Sequence, residues 1–145
     1  MYDTYRDMLS FTQEELAEYL EDMGQKKFRS KQIYGWLHKK LAGDWDEMTD
    51  ISKELRNTLA EKYDIYPLHI LEKLVSKVDG TAKYLMAAAD GGVIESVAMN
   101  YSYGMSVCIS SQVGCRMGCS FCASTLAGLE RSLSASEMLA QIYLI

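Results

Sequence analysis

The stretch Cys115-Arg116-Met117-Gly118-Cys119-Ser120-Phe121-Cys122 sets three thiols three and then two residues apart. A loop this short aims its sulfurs at one point, and Gly114 and Gly118 free the backbone for the tight turns this requires. Three thiolates suit an iron–sulfur cluster with one iron left open to a small chelating ligand. Structural zinc normally takes four protein ligands, so a zinc reading must recruit Cys108 as the fourth. Ahead of the loop, Ser106-Val107-Cys108-Ile109-Ser110 reads as a strand. Behind it, Ser134-Ala135-Ser136-Glu137 is a capping box that opens an apolar-periodic helix. Strand, cysteine loop and helix in that order form the opening unit of a parallel β/α barrel, which places the chain in the α/β class as an α+β fragment.

The same residues carry a family resemblance. Cys-x₃-Cys-x₂-Cys with an aromatic residue before the last cysteine resembles the radical S-adenosylmethionine (SAM) signature. Three wider stretches are similar to the RlmN/Cfr-type RNA adenine methyltransferases: Ile94-Glu95-Ser96-Val97, Cys108-Ile109-Ser110-Ser111-Gln112-Val113-Gly114-Cys115, and Phe121-Cys122-Ala123-Ser124. The resemblance implies a 4Fe–4S cluster on Cys115, Cys119 and Cys122, with SAM on the open iron and Phe121 packed beside its adenine. It also implies two cysteines outside the cluster. One, near the C-terminus of the family's members and absent from this sequence, is methylated and transferred to the base as a covalent bridge. The other, matched by Cys108, takes a proton from the adduct and resolves it by forming a disulfide. Glu95 matches a carboxylate proposed as a proton acceptor.

The implied reaction is methylation of adenosine C2 in 23S ribosomal RNA and in tRNA, with an external electron donor; a C8-specific relative is the alternative. Read from the residues alone, Cys108 is a small buried hydrophobe, Glu95 a solvated strand residue and Phe121 loop filling. The chain would then be a stand-alone RNA- or metal-binding module. Ser132 and Ser134 stand where asparagine and threonine are usual in the family, and Ser134 keeps the capping oxygen.

Composition narrows the setting. A chain of 145 residues buries one modest core or two small ones. It has no apolar run of about 18 residues and no charged-then-apolar leader, so a cytoplasmic protein without membrane association is expected. Three of its four cysteines crowd into ligand spacing, which fits a reducing compartment better than a disulfide scaffold. A formal net charge of −5 argues against indiscriminate nucleic-acid binding. Leu133, Met138, Leu139, Ile142 and Ile145 make an apolar stripe at helical spacing near the end of the chain. A barrel needs more strand–helix units than follow, so the chain is expected to be the front of a longer enzyme.

Upstream, residues 1–66 read as a helical accessory domain. Thr12-Gln13-Glu14-Glu15 caps a helix with Leu16, Tyr19, Leu20 and Met23 on one face and a stop at Gly24. Phe28 is expected to dock back on it. Ser30 is expected to cap a second helix with Ile33, Tyr34, Trp36, Leu37 and Leu41 inward, closing at Gly43. Lys26, Lys27, Arg29, Lys31, Lys39 and Lys40 surround it as a solvated face or a phosphate-touching surface. Asp50 or Ser52 caps a third helix, running to about Tyr63 over Ile51, Leu55 and Leu59, with Trp36 and Trp45 between the helices. Pro67 opens a linker over residues 67–100. Its strands Ile70–Val78, Thr81–Ala88 and Val93–Met99 turn at Asp79-Gly80 and Asp90-Gly91-Gly92. Residues 101–145 are the start of the barrel. The turn Asn100–Gly104 precedes the first barrel strand, and its Tyr101 and Tyr103 either stack on a base or pack.

Overall fold

A computed structural model describes residues 7–145. It divides into two compact units, the first ending at Pro67 and the second spanning Leu68–Ile145.

In the first unit, Thr12 Oγ1 accepts the Glu15 N–H, and the Glu15 carboxylate accepts the Thr12 N–H. This reciprocal cap starts α1 (Gln13–Asp22). Helix α1 buries Leu16, Ala17, Tyr19 and Leu20 and ends at Gly24 with φ of 74°. Helix α2 (Phe28–His38) starts earlier than expected, at Lys27, without a side-chain cap. Ser30 lies inside it, buried, with its hydroxyl turned back to the Lys27 carbonyl at 2.8 Å. Phe28 is half-exposed and lines a groove with Gln13, Glu14 and Ala17 of α1, with the Arg29 guanidinium 4.9 Å from its ring centroid. Leu41 takes the left-handed stop at φ of 54° expected of Gly43, and its side chain points to solvent while Ala42 goes inside.

Helix α3 (Lys53–Ala60) is capped by Ser52, whose Oγ accepts the Leu55 N–H. Asp50 instead ties this region to α2. Its carboxylate accepts the Trp36 indole N–H at 2.6 Å and the Gln32 amide at 3.2 Å, and its carbonyl accepts Arg29 at 2.9 Å. Met8, Leu16, Leu20, Ile33, Leu37, Met48 and Leu59 are fully buried. Phe11, Tyr19 and Tyr63 form an aromatic triangle with centroids 5.4–5.6 Å apart.

In the second unit, β1 (Leu68–Val75), β2 (Ala82–Ala88), β3 (Val93–Tyr101) and β4 (Gly104–Cys108) form an antiparallel meander in sequence order. The turn residues behave as expected. Asp79 Oδ1 accepts the Thr81 N–H, Asp90 Oδ1 accepts the Gly92 N–H, and Gly80 and Gly91 have positive φ. The strand expected to open a parallel barrel is therefore the fourth strand of this sheet, reached through a two-residue turn at Ser102-Tyr103. Parallel pairing needs a crossover leading to a further strand, and among the described residues every pair of strands within a sheet is antiparallel. Tyr101 and Tyr103 stack on each other at that turn, rings 5.1 Å apart, and both are exposed.

Alternation along β2 and β3 buries Ala82, Tyr84 and Met86 with Ile94, Ser96 and Ala98 on one face, and puts Lys83, Glu95 and Val97 on the other. Helix α4 (Ala135–Leu144), capped by Ser134 and Glu137 as expected, lies on the buried face. The residues it buries are Ser136, Glu137, Ala140 and Gln141; Met138 and Leu139 are only half-buried and Ile142 is 48% exposed. The expected apolar stripe is thus not the face that meets the sheet, because the Gln141 amide is engaged there in hydrogen bonds. Among the described residues no helix is long and apolar enough to cross a membrane.

Removing the Asp50 carboxylate takes its acceptor from the solvent-accessible Trp36 N–H, so Asp50→Ala is expected to destabilise the first unit by about 0.5–1.5 kcal/mol. A urea unfolding midpoint, with Asp50→Asn keeping part of the loss at bay, measures this.

Candidate functional site

The cysteine segment is the loop of a second, smaller hairpin. Strand β5 (Gln112–Gly114) pairs antiparallel with β6 (Leu129–Ser132), and the Cys115 N–H donates to the Gly128 carbonyl at 3.0 Å, so residues 115–128 form one closed loop. Any side chain at Gly114 would force this turn to shift. The glycine's φ is 71°, and a Cβ would run into the Gly128 carbonyl oxygen. Gly118, between the first two cysteines, also has positive φ, at 68°. Cys119 and Cys122 are joined by a turn in which the Cys122 N–H donates to the Cys119 carbonyl, and the Thr125 hydroxyl closes on the Cys122 carbonyl at 2.8 Å.

All four cysteines are free thiols. The Cys115 sulfur accepts the Met117 N–H at 3.5 Å, the kind of bond that tunes a ligating thiolate. Among the described residues no three Cys, His, Asp or Glu side chains are grouped so that they could hold a metal ion. The donor set nonetheless fits an iron–sulfur cluster in its chemistry, with three soft sulfurs on one glycine-hinged loop and a backbone N–H already turned to the first. Ligation would draw them together, as metal binding commonly couples to local ordering. Phe121 is 91% exposed at the tip of the loop, neither packed nor filling it.

An open cleft of about 750 Å³ runs along this loop. Glu95 and Val97 from β3, Cys108 at the end of β4, and Cys115 and Cys122 all line it; Cys119 and Phe121 do not. Cys108 is exposed, which corrects the expectation of a small buried hydrophobe, because it lies on the sheet face opposite α4. It pairs with Val97, which pairs in turn with Lys83, so the three stand in a row across three strands. Lys83 Nζ reaches the Glu95 carboxylate at 2.9 Å with both groups about half-exposed, a pair of small energetic weight that still orients the carboxylate along that face. Lys83 has no local sequence signature; only strand register reveals it.

The hairpin is held to the sheet by Arg131. Its guanidinium grips Glu137 at 2.7 and 2.9 Å with two donors and Asp90 with a third, joining β6, α4 and the β2–β3 turn. Hydrogen bonding from Arg131, then from the Gly92 N–H, holds Asp90 down to about 2. Burial is the largest influence on Glu137 and acts to raise it. The Arg131 hydrogen bonds and the Ser134 N–H together outweigh it, leaving Glu137 below the ordinary carboxylate range. Glu137, then Asp90, holds the Arg131 guanidinium charged.

Known proteins resemble the chain over nearly all of its length. Residues 6–65 match the family described as the ribosomal RNA large subunit methyltransferase N-terminal domain. The chain is 57% identical over 139 residues to the probable dual-specificity RNA methyltransferase RlmN of Lachnoclostridium phytofermentans, covering 96% of this chain and 39% of that relative. It is 53% identical over 136 residues to its counterpart in Alkaliphilus oremlandii, covering 94% and 39%. Among solved structures it is similar to a radical SAM methyltransferase from Sphaerobacter thermophilus, with a TM-score of 0.90 at 40% identity, over 96% of this chain and 41% of that one. The chain thus spans about two fifths of the length of these relatives.

Two outcomes test this geometry. Gly114→Ala is expected to cost about 2 kcal/mol or more, whereas Gly118→Ala, with the same sign of φ and open space around it, is expected to cost about 1 kcal/mol; unfolding midpoints compare them. Asp90 and Glu137 bind protons less readily folded than unfolded. Their stabilisation is therefore present at neutral pH and lost as pH falls from the ordinary carboxylate range towards about 2. Arg131→Met is expected to flatten this acid dependence in urea midpoints taken between about pH 6 and about pH 2.

Proposed function

Because the chain belongs to the RlmN-type radical SAM RNA methyltransferases, we propose that it supplies the cluster loop and the resolving side of an active site that methylates C2 of an adenosine in 23S ribosomal RNA and in tRNA. The observation that carries this reading is the shared cleft, which gathers Cys108 and Glu95 with the cluster-loop residues Cys115 and Cys122. Cys115, Cys119 and Cys122 would hold the 4Fe–4S cluster, and Phe121, exposed on the same loop, would offer its ring to the adenine of SAM. The cluster, when bound, supplies the electron that cleaves SAM, for which an external donor is the source.

The chain's own residues have simpler tasks. Cys108, as the thiolate, accepts a proton from the RNA adduct. Once that proton is passed on, its sulfur attacks the sulfur that carries the bridging methylene. The C–S bond to the methylene breaks with its electron pair going to the carbon, and the carbon takes up a proton to become the methyl group, leaving a disulfide and free RNA. That second sulfur lies outside these 145 residues. Glu95, steered by Lys83, offers a proton acceptor on the same sheet face. The first unit, with Lys26, Lys27, Lys31 and Lys39 exposed on and beside α2, offers cations to RNA phosphate. An overall charge of −5 leaves such contacts local.

Anaerobic reconstitution tests the cluster. About four irons with matching sulfide, and a spectrum altered by SAM, are expected; Cys119→Ala is expected to lose both. One zinc per chain instead would make it a structural binding module. In an RlmN-length enzyme carrying this sequence, Cys108→Ala is expected to retain SAM cleavage and to accumulate the RNA adduct.

A further inference from the structure

Gln141 is fully buried on α4, against the equally buried Ser96 of β3. Its amide makes four hydrogen bonds. Oε1 accepts from the Ser96 hydroxyl and from the Ser110 N–H, both at 2.7 Å; Nε2 donates to the Ser110 carbonyl at 2.9 Å and to the Glu137 carbonyl at 3.2 Å. The orientation is fixed by its partners, since an N–H can only donate and the two carbonyls can only accept.

The bonds to Ser110 have a particular form. The β3–β4 ladder ends at Val97 and Cys108, and two residues further on the Ser110 backbone offers an N–H and a carbonyl. Gln141 answers both, exchanging the pair of bonds that a facing strand residue would make. A helix side chain therefore continues the sheet past Cys108. The Ser110 hydroxyl in turn donates to the Glu95 carbonyl at 2.7 Å, so one amide fixes the backbone beside both cleft residues, Cys108 and Glu95.

We propose that Gln141 is the positioning residue for Cys108: by holding both backbone groups of Ser110 it fixes the chain where it leaves β4 and bends at Ser111, so that the Cys108 sulfur faces the cleft at a set place relative to the cysteine loop. This rests on the reading of Cys108 as the resolving thiol. A purely structural role would spread its effect over the whole unit; a positioning role concentrates it at Ser110 and on the resolution step. Ser96 provides the contrast, because its hydroxyl bonds the same amide but is not part of the pair of bonds to the Ser110 backbone.

The test combines hydrogen exchange on this chain with adduct analysis in an RlmN-length enzyme carrying its sequence. In the unsubstituted chain the Ser110 amide is expected to be as protected as the β4 ladder amides; free exchange there would overturn the proposal without any variant. Gln141→Met, similar in size and lacking the bonds, is expected to speed exchange at Ser110 by about tenfold or more. It is also expected to leave SAM cleavage within about twofold and to accumulate adduct as Cys108→Ala does. Ser96→Ala is expected to lower the unfolding midpoint without adduct accumulation. If Cys108→Ala accumulates adduct and a folded Gln141→Met does not, the positioning role is wrong; if Cys108→Ala itself releases product normally, the reading of Cys108 falls first, and the positioning role with it.

Discussion

One guanidinium decides where the cysteine loop sits. Arg131 reaches Asp90, 41 residues earlier, and Glu137, six residues later, so the β2–β3 turn, the short β5–β6 hairpin and α4 converge on a single side chain. A two-stranded hairpin is at best marginally stable in water by itself. This one carries a loop of more than a dozen residues with exposed Met117, Phe121 and Leu126, and gains its place from that anchor together with Val113 and Leu133, which are buried. Glu137 also serves as half of the α4 cap, so the same carboxylate starts the helix and holds the hairpin.

Helix α4 shows how a polar group can set the orientation of an element. Its larger apolar residues were available for burial, yet Ser136, Glu137, Ala140 and Gln141 are the ones buried, with Gln141 bonded to Ser96 of the sheet. Burying an amide costs free energy unless its donors and acceptors are satisfied, and a fully satisfied one permits a single arrangement where apolar contacts tolerate many. The consequence is a defined path for the backbone between Cys108 and β5. Met138, Leu139 and Ile142 are left part-exposed as a result.

The first unit treats its charges similarly. Arg29 and Lys40, two of the six cations around α2, lie over the rings of Phe28 and Trp36, and Arg29 also binds the Asp50 carbonyl. Those two have structural partners, while Lys26, Lys27, Lys31 and Lys39 stay exposed. Asp50 is a comparable case. As a candidate cap it competes with Ser52, and the serine takes the helix because the carboxylate is already committed to Trp36 and Gln32.

The amino-acid sequence by itself determined the features that depend on a few neighbouring residues. These are the reciprocal caps at Thr12 and Ser134, the turns at Asp79-Gly80 and Asp90-Gly91-Gly92, the positive φ of Gly114 and Gly118, and the spacing of three thiols on one loop. Each is a local balance of backbone conformation and hydrogen bonding, visible within five or six positions. Only the tertiary structure decided that Gln112–Gly114 and Leu129–Ser132 pair around the cysteines, that Cys108 faces the cleft with Glu95, and that Gln141 is the buried residue of α4. Those outcomes join groups up to 45 residues apart, such as Ser96 and Gln141. They follow from strand register and from the need to satisfy every buried polar atom, conditions that exist only once the elements meet.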